Sequence, residues 1–196
     1  MSHEEEELEL EEGEDSPENL TKIEEKFRTI GLFGEINEEV ASEVIFGIHS
    51  LAMDTEPGNN NIELMISSPG GHASEMFAIY DIMRYHRELQ PIETFAIGKV
   101  MSAGVLILAA GTKGLRRIGK HCRVMLHQCS AGSLGTVSTL RTEMKEISSL
   151  QDQYFNALAE ETNLTVAQIR RLVAKNQNIY FSAEQAVEYG IADVIV

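Results

Sequence analysis

Apolar positions along this chain alternate between short runs of strand length and stripes at helical spacing. Residues 27–33 (FRTIGLF) predict a short strand, and Asn37 is a good N-cap for a helix carrying Val40, Val44, Ile45, Ile48 and Leu51 on one face. The run DTEPGNNN is a loop by its Pro, Gly and Asn content. Residues 62–66 (IELMI) then predict a second strand that ends at Ser67-Ser68-Pro69-Gly70-Gly71, with a helix over residues 73–86 directly after it. Pro91 restarts an apolar stretch, IETFAIG, which reads as a third strand. Residues 101–110 (MSAGVLILAA) predict a buried helix of small and aliphatic residues, and residues 122–127 (CRVMLH) a fourth strand.

The segment SAGSLG that follows is small and Gly-rich, so its backbone can lie close to a ligand. Residues 139–162 place Leu140, Met144, Ile147, Tyr154 and Leu158 at intervals of three, four or seven, the pattern of a long amphipathic helix. Two capping boxes, Thr165-x-x-Gln168 and Ser182-x-x-Gln185, announce short helices, with residues 176–181 extended between them. Repeated strand–helix units imply an α/β fold with a mainly parallel sheet and right-handed crossovers.

Composition narrows the function classes. With 196 residues, 43% of them hydrophobic, there is material for one domain of ordinary size. The net charge of −15 disfavours nucleic acid or an anionic membrane as a partner. Much of that charge lies in residues 1–20, which hold nine Glu and one Asp with no Lys or Arg; this block is expected to be a disordered acidic tail ahead of a domain over residues 21–196. There is no basic, apolar leader near the start. The apolar stretch 97–110 contains Lys99 and falls short of the ~18 residues a membrane span needs, so a cytoplasmic protein is expected. Cys122 and Cys129 form neither a zinc pattern nor a disulfide scaffold and read as reduced, half-buried thiols.

Candidate chemistry gathers at strand ends. Ser102 stands at the start of the predicted 101–110 helix, where free N–H groups favour a developing oxyanion; the same Met-Ser-Ala-Gly run also suits plain helix–sheet packing. His127 ends the fourth strand, so a base and a nucleophile can meet across adjacent strands, although a lone His there is more often structural. His72, beside the Gly pair, is its only rival: His3 lies in the tail, and His49, His86 and His121 read as surface or packing residues. Gly70 and Gly71 can leave N–H groups unobstructed, and with the amide of Ala103 they would complete an oxyanion hole; the alternative is a Pro-Gly turn. No nucleotide fingerprint occurs.

Together these residues resemble the ClpP family, the proteolytic subunits of Clp proteases, which are serine peptidases on a crotonase-like α/β fold with a protruding handle helix. The resemblance runs from about residue 27 to residue 196. It passes through Ser68-Pro69-Gly70-Gly71, Ala78-Ile79-Tyr80-Asp81, residues 98–104 around Ser102, Leu108-Ala109-Ala110-Gly111, Arg123-Val124-Met125-Leu126-His127-Gln128, and residues 181–190 (FSAEQAVEYG). It implies that Ser102 is the nucleophile, His127 the general base, and the amides of Gly71 and Ala103 the oxyanion hole. The third triad position falls on Asn178, where the family usually has Asp. A carboxylate there holds the His tautomer and stabilises the imidazolium, so a slow or conditionally active site is expected.

The resemblance further implies that Gly70, Ala131, Gly132 and Gly135 bind an extended peptide by β-augmentation. It makes the long helix a handle that joins two seven-membered rings into a tetradecamer, which admits unfolded polypeptides and short peptides. A hexameric AAA+ unfoldase of the Clp type is the implied partner. Glu63 and Met65 stand where its docking pocket commonly has tyrosines, Cys129 replaces a Pro, and the acidic tail replaces the segment that lines the axial entrance. No metal or organic cofactor is implied. Two other readings keep the fold: a structural subunit in a mixed ring beside a complete Ser-His-Asp ClpP paralogue, which would have no chemical need for either Ser102 or His127, and a Ser-Lys peptidase using Lys99 as base.

Overall fold

A computed structural model describes residues 27–54, 61–174 and 178–196. The acidic segment 1–20, most of the DTEPGNNN loop and the start of the 176–181 segment lie outside the described residues. The elements run β1 (Thr29–Ile36), α1 (Glu38–Met53), β2 (Ile62–Gly71), α2 (Ala73–Arg87), β3 (Ile92–Met101), α3 (Ala103–Ala109), β4 (Arg116–Ile118), β5 (Arg123–Leu126), α4 (Val137–Glu161), α5 (Val166–Val173), β6 (Ile179–Phe181), α6 (Ala183–Glu188) and β7 (Val194–Ile195). The strands form one sheet in the order β1-β2-β3-β4-β7, parallel throughout; β5 pairs with the far end of β3, and β6 runs antiparallel to β5.

Local chemistry accounts for the boundaries. The Asn37 side chain accepts from the Val40 N–H to start α1, whose Ala41, Val44, Ile48 and Ala52 are buried against the sheet. Both capping boxes are formed, at Thr165 and at Ser182. β1 begins two residues later than the pattern suggests and runs on to Ile36. β2 does not stop before Ser67 but continues through Pro69 to Gly71. It can do so because Ser68 and Pro69 together face Gly34 of β1 in a bulge, the place in a sheet where a residue without an N–H is tolerated. The Ser68 hydroxyl fills the gap, donating to Gly34 O at 2.6 Å and accepting from Gly70 N at 3.0 Å.

A second bulge decides where the site forms. Ile66 pairs with Ala96 but Ser68 pairs with Val100, so β3 carries extra residues around Gly98, whose φ is +65°. Before this point β3 pairs with β4 (Thr94–Ala96); beyond it β3 pairs with β5 (Lys99 to Met101 against Arg123 to Met125). The exchange of partners brings the end of β3 beside the end of β5. α3 then plunges into the core with all seven residues buried. It starts at Ala103 rather than at 101, since β3 runs on to Met101.

α4 is 25 residues long, about 37 Å at helical rise. Only its second half packs on the domain, through Tyr154, Phe155, Ala157, Leu158 and Glu161. Its base is fixed by Glu161, 2% exposed, which takes both guanidinium nitrogens of Arg87 at 2.9 Å and the Tyr80 hydroxyl at 2.9 Å. The first half projects, leaving Val137 and Met144 exposed, as is Leu134 just before it. The periodicity predicts the long helix, and its protrusion is what the resemblance to the ClpP family implies.

Candidate active site

Ser102 is the one non-glycine residue with positive φ among the described residues, at φ +53° and ψ −122°. It sits at the sharp turn from β3 into α3. A side chain in that region is strained by a few kcal/mol at most, roughly 1–3, and persists only where surrounding bonds overdetermine it. Three bonds do so here: the Ser102 N–H donates to Met125 O on β5 at 2.8 Å, and its carbonyl accepts from Val105 N at 3.0 Å and from the Tyr154 hydroxyl of α4 at 2.8 Å. A strand-to-helix turn of this kind lifts the hydroxyl out of the sheet.

His127 follows β5 by one residue, and its Nε2 lies 2.7 Å from Ser102 Oγ. The ring is half-buried, and burial pushes its pKa below the ordinary 6.5. A neutral imidazole at neutral pH is the form that takes a proton from a hydroxyl. The segment after it is held by its neighbours: Gln128 Nε2 donates to Val173 O at 3.0 Å, and Cys129 N donates to Gln151 Oε1 of α4 at 3.0 Å.

Gly70 and Gly71 end β2 on the other side of Ser102. Gly70 has φ +96°, and a Cβ there would stand 2.6 Å from Ser102 Cβ and 2.8 Å from Met101 O, so only glycine fits. His72 N donates to Ile36 O of β1, and Gly71 lines the same cleft as Ser102. The Ala103 N–H, first in α3, has no intrahelical acceptor.

Asn178 directly precedes β6. Leu126 pairs with Ile179, the last pair of the ladder, and His127 and Asn178 are the residues next in register beyond it. The Asn178 residue is exposed, and among the described residues no hydrogen bond joins it to His127, whose ring is bonded to Ser102. The cleft around Ser102 and His127 measures about 880 Å³ and is lined by Gly70, Gly71 and Ala131 among others, with Ile147, Leu150 and Tyr154 as its apolar side. Gly132 and Gly135 lie farther along the same exposed, unpaired segment and do not line the cleft. His72 lies at the cleft's edge with its side chain 64% exposed, beside Glu75 at 3.9 Å, and does not reach Ser102 Oγ. Lys99 is exposed on β3. The sequence pattern missed the bonds of Tyr154 and Gln151: it gives Tyr154 only as a position on the apolar stripe of the long helix and does not single out Gln151, although a tyrosine among core residues is itself a signal, because its hydroxyl needs a partner.

A parallel α/β sheet with a serine on a strained turn, bonded to a histidine from the neighbouring strand, has the architecture of a serine hydrolase. The family model described as "Clp protease" matches residues 12–196, and the chain belongs to the Clp protease family, whose members are serine-type peptidases. It is similar to the ATP-dependent Clp protease proteolytic subunit 4 of Rhodococcus jostii (strain RHA1), 38% identical over 169 residues, 86% of this chain and 84% of the relative. It is also similar to the ATP-dependent Clp protease proteolytic subunit 2 of Chlamydia trachomatis serovar D, 34% identical over 171 residues, 87% of this chain and 81% of the relative.

Proposed function

We propose that this chain is a self-compartmentalising serine endopeptidase that cleaves unfolded proteins and short peptides through an acyl-enzyme at Ser102. The observation that carries the reading is the 2.7 Å contact between Ser102 Oγ and His127 Nε2 inside the cleft. His127 takes the Ser102 proton as Oγ attacks the scissile carbonyl, and the N–H groups of Gly71 and Ala103 hold the oxyanion. His127 then protonates the departing amine. Water repeats the sequence on the ester, releasing the acid and returning the proton to Ser102. Asn178 is the group that orients His127, its amide oxygen accepting from Nδ1–H once the two side chains meet. Gly70 and the unpaired backbone from Ala131 through Gly132 to Gly135 receive the substrate as an added strand.

The exposed apolar side chains on the first half of α4 support assembly of copies through this helix. The reading places residues 21–196 in one domain, in heptameric rings paired into a tetradecamer, in the cytoplasm, with a Clp-type AAA+ unfoldase as partner. Among the described residues no helix is long and apolar enough to cross a membrane. At the docking strand, Glu63 is bonded to Arg117 at 2.6 Å and to Thr29 at 3.0 Å, a charged surface where the family commonly presents aromatics. The purified full chain tests the proposal: it should sediment as a ring assembly and hydrolyse a short fluorogenic peptide, with Ser102→Ala and His127→Ala both inactive. An assembled but inactive wild type that gains activity only when mixed with a Ser-His-Asp paralogue would transfer the chain to the second reading, a low-activity or structural subunit, which the exposed Asn178 favours.

A further inference from the structure

The hydrogen bond from Tyr154 ends on an atom that controls another. Ser102 C=O and Ala103 N–H belong to one peptide unit, which is planar and trans, so its carbonyl and its N–H point in opposite directions. The carbonyl accepts from the Tyr154 hydroxyl at 2.8 Å and from Val105 N at 3.0 Å. The N–H is thereby aimed the other way; Ala103 lines the cleft with Gly70 and Gly71, and its N stands 3.1 Å from where a Cβ on Gly70 would lie. We propose that Tyr154 is a positioning residue for the oxyanion hole: by holding Ser102 C=O it fixes the plane of the Ser102–Ala103 peptide and the direction of the Ala103 donor.

Three further features support this. The phenol is buried and its pKa lies far above the ordinary 10, so the hydroxyl stays a donor across the working pH range. A hydrogen bond to a peptide carbonyl polarises the unit and strengthens donation from its N–H, and this is worth more in a buried site than in water. Tyr154 also lies three residues after Gln151 on the same face of α4, and Gln151 holds Cys129 N–H just beyond His127. One helix face therefore braces both halves of the site. The proposal rests on Ser102 acting as nucleophile with Ala103 N–H as an oxyanion donor.

Tyr154→Phe removes the hydroxyl and keeps the ring, and Tyr154→Met fills the position without a donor. Both should lower kcat on a short peptide by about tenfold, the size expected for one buried hydrogen bond acting on the transition state, with KM unchanged. Fluorophosphonate labelling of Ser102 should slow by the same factor. The midpoint of the kcat/KM pH profile, which reports His127, should stay in place while the plateau falls. Sedimentation and thermal midpoint should remain close to those of the wild type. Wild-type rates in both variants overturn the proposal, as does a fall that appears in KM, in the pH midpoint or only together with loss of assembly. A wild type that no fluorophosphonate labels at Ser102 instead defeats the underlying peptidase reading, which separates the two failures.

Discussion

Replacing Asn178 by Asp installs a carboxylate opposite the imidazole of His127. The antiparallel register that pairs Leu126 with Ile179 puts residues 127 and 178 next in line just beyond the strand ends, near enough for the two side chains to be brought together. At a separation of about 5 Å and an effective dielectric constant of about 20, an imidazolium and a carboxylate attract by about 3 kcal/mol. Residue 178 is exposed, and solvent screening reduces this to about 1 kcal/mol, or close to one pKa unit. In the wild type, burial holds the His127 pKa below 6.5, so the acid limb of kcat/KM should have its midpoint below that value. Asn178→Asp should move the midpoint upward by about one unit. It should also raise kcat about five- to tenfold, because the imidazolium formed during acylation is stabilised by the same interaction. The assay is peptide hydrolysis across the acid and neutral range, with sedimentation run in parallel. An unmoved midpoint with unchanged or lower kcat, in a variant that still assembles, would refute the reasoning and mean that the local geometry is built for an amide.

Three further outcomes are expected. Gly70→Ala should abolish peptidase activity and lower the thermal midpoint, since a Cβ at φ +96° collides with Ser102 Cβ and Met101 O at a cost of roughly 2 kcal/mol or more; retained activity would show that the turn is more pliable than described. Asp193 is raised by burial, but this is outweighed by the Arg116 guanidinium and the N–H groups of Arg116 and Gly114, so its pKa lies below the ordinary 3.8. A carboxylate depressed in the folded state stabilises fully above its unfolded value and loses that contribution as pH falls through its folded value. The extra acid sensitivity should therefore lie below about pH 4 and disappear in Asp193→Asn, as read by denaturant midpoints against pH. Lys99→Gln should keep full peptidase activity, because Lys99 is exposed and Ser102 already has His127; a loss would favour Lys99 as the base.

What could be read beforehand follows from the size of each signal. α1, α2 and α4 carry several turns of periodic apolar residues, α1 with a clear N-cap at Asn37, and their positions hold to within a few residues. β4 and β7 have three and two residues, too short for any alternation to stand out, and their place in the sheet is set by long-range pairing. Pro69-Gly70-Gly71 signals a turn locally, yet the chain there is strand, because the Ser68 hydroxyl supplies the bonds the bulge removes. Ser102 and His127 were legible as strand-end residues of suitable chemistry. Their 2.7 Å contact depends on β3 changing partners at Gly98, which no local pattern encodes. The roles of Tyr154 and Gln151 were hidden for a related reason: their partners lie 52 and 22 residues away in sequence.

The central claim is that Ser102 is a nucleophile activated by His127, and mapping a fluorophosphonate adduct on the assembled full-length chain by peptide mass spectrometry tests it most directly. The account predicts one adduct, on Ser102, absent from Ser102→Ala and formed far more slowly in His127→Ala. An assembled protein that carries no adduct, or carries it on another residue, would contradict it.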